Sequence, residues 1–158
     1  MTPRDAFITF VLPAVKDCEA DPGALHRVVS ALFLIDALAE EVWNSTNKPE
    51  GTPTRYREAL AAKCTELGYA WDVHDIHKHG KLDRRVPILP NDKRPQVVLI
   101  RRQTHHMVTP TQPFIVWQTG GWPVVILTLQ DGTTVRALDV IKKCVGWWDA
   151  ELSRLGWP

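Results

Sequence analysis

Residues 71–82, WDVHDIHKHGKL, hold three of the six histidines with two aspartates and two lysines. Imidazole titrates nearest to neutrality, and a neighbouring carboxylate sets its tautomer or its charge. Such a pairing is the raw material of general acid–base chemistry. On a helix advancing about 100° per residue, Tyr69, Val73, Ile76 and Gly80 fall on one narrow apolar stripe. Asp72, Asp75 and His79 share one flank of it, with Asp75 and His79 at i,i+4. His77 borders the other flank, and His74 lies further round. The plain reading is a surface helix in which Asp75 stabilises a charged His79, worth roughly 0.2–0.5 kcal/mol. The sharper one is a half-buried polar site that faces another helix.

A second informative residue is Asp36. It projects from the broad apolar face of a helix over residues 22–44, formed by Leu25, Val28, Leu32, Ile35, Leu38, Ala39, Val42 and Trp43. A carboxylate buried there needs a donor or a proton, and the histidine-rich helix is the richest source. The expectation is Asp36 within reach of His77, His79 or Lys78. The candidate catalytic residues are therefore His79, His77, Asp75 and Asp36. Candidate binding residues are Asp72 and Lys78, with Arg84, Arg85, Arg101 and Arg102 from the basic middle of the chain. A solvated surface is the simpler explanation of those arginines.

Other chemistries find less support. His74 and His77, at i,i+3, could share a metal, but His79 points elsewhere, and neither CxxC nor HExxH is present. No metal site and no cofactor are expected. GxSxG is absent, and Gly120-Gly121 lies between strand-like runs and reads as a turn, not a phosphate cradle.

The elements that must position these groups follow from local signals. Thr2-Pro3, Asp21-Pro22 and Thr52-Pro53 each place a capping oxygen before a proline, marking three helix starts. The expected helices span residues 3–19, kinked at Pro13, then 22–44 and 53–67, the last stopping at Gly68, with the histidine-rich helix as the fourth. Three prolines within residues 87–95 read as a linker. Strand-rich runs follow at 96–101, 113–118, 123–130 and 133–136, with Asp131-Gly132 as a two-residue type I′ turn. Residues 124–129 should form a central strand covered on both faces. A last helix over residues 138–155 carries the stripe Leu138, Ile141, Val145, Trp148, Leu152 and Leu155. The expected fold is α+β: an N-terminal four-helix bundle (1–86), then a small antiparallel sheet and a long C-terminal helix (87–158), packed as one unit.

Composition sets the limits. At 158 residues, 44% hydrophobic and 23% charged, the chain reads as an ordinary soluble domain. A formal charge of +1 argues against a generic nucleic-acid surface, though not against a local patch. Cys18, Cys64 and Cys144 are odd in number and sit in apolar helical contexts, which suggests buried thiols of a reducing compartment. The apolar run 6–15 is short, lacks a basic lead and is broken by Pro13, so neither a signal peptide nor a membrane span is expected. The expected location is the cytoplasm. Trp147, off the helix stripe, and Trp157 suggest an interface and hence a homodimer.

Residues 25–43 (LHRVVSALFLIDALAEEVW), 56–64 (YREALAAKC) and 72–82 (DVHDIHKHGKL) together resemble the HEPN family of small bacterial four-helix domains. The last of these resembles the acidic-to-Lys-His ending of such bundles, here Asp72, Lys78 and His79. The resemblance covers about residues 20–85. It implies a dimeric bundle, a setting in defence or toxin–antitoxin systems, and frequently RNA cleavage by an arginine and a histidine a few residues apart. Here no arginine precedes His74, His77 or His79 in that way, while Arg101 and His106 have the spacing after a strand-like run. Three functions stay open. The first is a cytoplasmic binding protein whose partner is RNA or another protein. The second is a metal-independent RNase using the His/Asp groups. The third is a homo-oligomeric structural module.

Overall fold

A computed structural model describes residues 1–79, 89–90, 94–101, 104–106, 114–116 and 121–157. The chain starts with a capping box, in which the Thr2 hydroxyl accepts from the Asp5 N–H and the Asp5 carboxylate accepts from the Thr2 N–H. It opens α1 (Pro3–Ala6). A π-helical turn (Phe7–Val11) follows and leads into α2 (Leu12–Ala20). The turn lies just ahead of Pro13. A proline ring crowds the carbonyl four residues back and offers no N–H, and a widened turn accommodates both defects. The expected kink is therefore a change of helical register.

The second helix, α3 (Leu25–Ser45), starts later than its Asp-Pro signal suggests. Its N-cap is Ala24, with no side-chain cap. Pro22 and Gly23 dock on the sheet instead. The Pro22 carbonyl accepts from the Val125 N–H at 3.1 Å, and a β-carbon on Gly23 would meet that of Pro123 at 2.5 Å. Thr52 does cap α4 (Pro53–Lys63), accepting from the Arg55 N–H at 3.3 Å. This helix ends at Cys64, which is extended (φ −141°, ψ 101°), not at Gly68. The histidine-rich helix α5 (Thr65–His79) begins at once, so Gly68 is buried inside it.

The strands are β1 (Gln96–Arg101), β2 (Thr104–His106), β3 (Phe114–Val116), β4 (Gly121–Thr128) and β5 (Thr134–Arg136), followed by α6 (Ala137–Arg154). β1, β4 and β5 form an antiparallel sheet with β4 in the centre; β2 and β3 pair separately. The β4–β5 loop differs from a type I′ turn. Leu129 pairs with Thr133 across three residues, and Gly132 alone takes a positive φ (+83°). Asp131 keeps a negative φ because its carboxylate is committed to the N–H and hydroxyl of Thr133, at 2.9 and 2.7 Å. β4 alternates: Val125 and Leu127 are buried, while Val124, Ile126 and Thr128 are half-buried. Only the first face is fully covered, and it joins the α6 residues in the core.

The architecture is thus mixed α and β, with a small antiparallel sheet and a long C-terminal helix. Among the described residues the helical half holds five α-segments. Its core runs on into α6, whose Val140, Ile141, Cys144, Trp148 and Leu152 are buried with Leu32, Ile35 and Val73 of the earlier helices. The expected N-terminal four-helix bundle is therefore not clearly present as such. Trp147 and Trp157 lie partly buried against that core, so the aromatics that suggested a dimer surface are used inside the fold. No helix among the described residues is long and apolar enough to cross a membrane.

Candidate functional site: a cleft over Asp36

Three helices converge on one carboxylate. Asp36 comes from the middle of α3 and is only 4% exposed. Its Oδ1 accepts from Arg57 Nε of α4 at 3.0 Å, and its Oδ2 meets His74 Nδ1 of α5 at 2.7 Å. Arg57 uses a second arm, Nη2, on Glu40 Oε2 at 3.3 Å, one turn further along α3. A guanidinium and an imidazole N–H thus lie in direct contact with the buried oxygens, the condition under which a carboxylate is retained in a protein interior.

The sequence reading named the correct helix and the wrong histidine. His74, not His77, His79 or Lys78, reaches Asp36. The wheel places side chains around one axis, whereas the meeting of two helices depends on how they cross. His77 is turned away: its Nδ1 donates to the Val73 carbonyl at 2.9 Å, and its ring meets Phe33 edge-on at 5.7 Å. Phe33 also lies against the His74 ring, with centroids 4.7 Å apart. Arg57 went unnoticed in the sequence, although it directly follows the core residue Tyr56 and so borders the buried stripe of α4.

The geometry fixes the His74 tautomer. A carboxylate can only accept, so Nδ1 carries the proton towards Asp36, and in the neutral imidazole it is Nε2 that has the lone pair. Above this network lies an open cleft of about 340 Å³, lined by Glu40, Thr54, Trp71, Asp75, Lys78 and His79 as well as the three network residues. Burial and the nearby negative charge of Asp36 hold the Asp75 carboxyl above the usual carboxylate range, burial being the larger cause. Neighbouring His74, His79 and Arg57 pull the other way. The cleft therefore offers an oriented imidazole, a carboxyl that keeps its proton longer than usual, and cationic side chains.

Asp72, one of the expected binding residues, is elsewhere. It is fully buried, and its Oδ2 accepts from the Leu89 N–H at 2.8 Å. Gln130 Nε2 donates to the Leu89 carbonyl at 3.0 Å. Asp72 therefore anchors the chain beyond α5 to the core. Arg84, Arg85 and Arg102 lie outside the described residues, as does Gly80. Arg101 is placed only by its backbone pairing with Gly121. Among the described residues no cluster of three or more His, Cys, Asp or Glu side chains is arranged to hold a metal. All three cysteines are reduced and buried. No family model, curated protein or solved structure matches the chain.

Proposed function

We propose that the chain is a metal-independent RNase whose active site is the cleft over Asp36. The observation that carries this reading is the Asp36–His74 pair, which leaves an oriented imidazole at the base of an open, mixed-charge cleft. In the reaction, His74 Nε2 takes the proton of a ribose 2′-hydroxyl. The 2′-oxygen attacks the adjacent phosphorus, and the bond to the 5′-oxygen breaks. Asp75, in the fraction of molecules that keeps its proton, delivers it to that leaving oxygen. Lys78 offsets the charge that builds on the phosphoryl oxygens, and Arg57 holds Asp36 in place. His79, exposed on the cleft rim, contacts the phosphate chain. The HEPN resemblance suits this reading through RNA as substrate, a cytoplasmic setting in bacterial defence and a homodimer.

The test is cleavage of single-stranded RNA in the presence of a chelator, by wild type and His74→Ala. Wild type should cleave and the variant should lose at least about a hundred-fold in rate, the lower end of what acid–base groups contribute. If wild type binds RNA but leaves it intact, the binding reading replaces the catalytic one. A protein that neither binds nor cleaves RNA would end both.

A further inference from the structure

We propose that one water fills the cavity beneath Asp36 and joins the Trp148 indole N–H to that carboxylate, which makes Trp148 a positioning residue for His74. Trp148 lies on the buried stripe of α6 and is 0% exposed. Its ring meets Trp147 edge-on, with centroids 5.0 Å apart. A phenylalanine would fill an apolar stripe without bringing a donor. The indole brings an Nε1–H, and no acceptor lies within hydrogen-bond distance of it. Buried donors of this kind are nearly always satisfied, by protein or by ordered water.

Arg4 makes the contrast within the molecule. Among the described residues its Nε is the other buried side-chain donor without an acceptor. The Arg4 side chain is 22% exposed, holds Asp149 through Nη1 at 2.6 Å and lies over the Phe7 ring. Its charge is thus answered beside solvent. Trp148 has a single donor, no solvent and a cavity alongside.

That cavity measures about 10 Å³, room for a single water. Ile35, Leu60, Leu67 and Trp71 form much of its wall, and Asp36 and Arg57 are the charged groups on it. Each Asp36 oxygen has one donor, Arg57 Nε at 3.0 Å and His74 Nδ1 at 2.7 Å, and a carboxylate oxygen can take two. Arg57 likewise has N–H groups beyond those spent on Asp36 and Glu40. A water there accepts from the indole and the guanidinium and donates to Asp36. Buried waters are kept in place by two to four such partners.

Asp36 is thereby tied to α6 as well as to α4 and α5. The carboxylate that sets the His74 tautomer cannot turn without giving up this further bond. Trp148 does not line the cleft itself, so it acts on the rate and not on the binding of RNA. That last step rests on the cleft being the active site; the water does not.

The experiment takes the full chain, assigns the Trp148 indole proton through its bonds and measures its cross-relaxation with water by NMR. A second sample carries, at position 148 alone, the sulfur isostere benzothienylalanine, which keeps the shape of the indole and lacks the N–H. The expected results are a water cross-peak with the sign of a long-lived bound molecule, slow exchange of the same proton with bulk, and a changed Asp36 carboxyl carbon shift in the isostere. No water cross-peak, exchange as fast as that of an exposed indole, or an unmoved Asp36 carbon would each overturn the proposal. Values of kcat and KM on single-stranded RNA are then compared. The isostere should lose about tenfold in kcat at unchanged KM, the lower end of what supporting partners contribute behind metal ligands. An unchanged kcat would overturn the positioning role and leave the water standing. Absence of cleavage by the wild type would count against the cleft reading alone, because the cross-peak and the carbon shift are measured without RNA.

Discussion

Asp36 and Asp72 are both buried carboxylates, and they serve different ends. Asp36 is held by side chains, a guanidinium and an imidazole, and lines an open cleft. Asp72 accepts the backbone N–H of Leu89 in the closed core and fastens the chain beyond α5. Burial of a charge therefore does not mark a site. What marks one is a partner that can itself exchange protons and a path to solvent beside it.

Replacing the two carboxylates is the strongest test of that contrast. Asp36→Ala strands the Arg57 guanidinium and leaves the His74 N–H without its acceptor, and should cost about 3 kcal/mol in urea unfolding, together with the proposed RNA cleavage. Asp72→Ala should cost about 1–3 kcal/mol through the unsatisfied Leu89 N–H, while the folded variant retains activity. If Asp72→Ala lost activity while still folded and Asp36→Ala kept it, the roles would have to be exchanged. The two histidines sharpen the comparison within α5. His74→Asn should lower cleavage about a hundred-fold, whereas His77→Asn, whose imidazole bonds its own helix, should change it little. Equal losses would mean that the orientation by Asp36 does not matter.

A smaller effect is expected at Arg57. Lysine keeps the charge but has no fork with which to hold Asp36 and Glu40 together, so Arg57→Lys should lose about 1 kcal/mol. A variant as stable as wild type in chemical denaturation would reduce Arg57 to a plain counter-charge. The least effect concerns Asp75. Its carboxyl is raised by burial and by Asp36, so the folded chain holds that proton more tightly than the unfolded chain does. The stability so gained is complete below the ordinary value of 3.8 and is lost as pH rises through the raised one. Asp75→Asn should accordingly raise the melting temperature at neutral pH, with the gain vanishing in acid. A gain that persists at low pH would mean that the charge on Asp75 is not the cause.

Much of the frame was legible. Thr2 and Thr52 cap their helices because a hydroxyl ahead of a proline answers a need that is purely local. Asp21-Pro22 looked identical and failed, because Pro22 and Gly23 are used to dock on β4, a contact about a hundred residues distant in the chain. The stop at Cys64 in place of Gly68 has the same character. Glycine ends helices where nothing else decides, and here the buried face of α5 holds Gly68 inside the helix. Asp131-Gly132 was correctly read as a turn, but the side-chain bonds to Thr133 selected its form.

The sequence by itself determined that Asp36 must find a donor. A carboxylate on an apolar helical face carries that requirement wherever the helix packs, because the cost of desolvation belongs to the group. It also determined that the histidine-rich helix was the place to look. Only the tertiary structure decided that the donors are His74 and Arg57. Helical periodicity fixes angles about one axis, while contact depends on the crossing and register of α3, α4 and α5, which the whole core sets together.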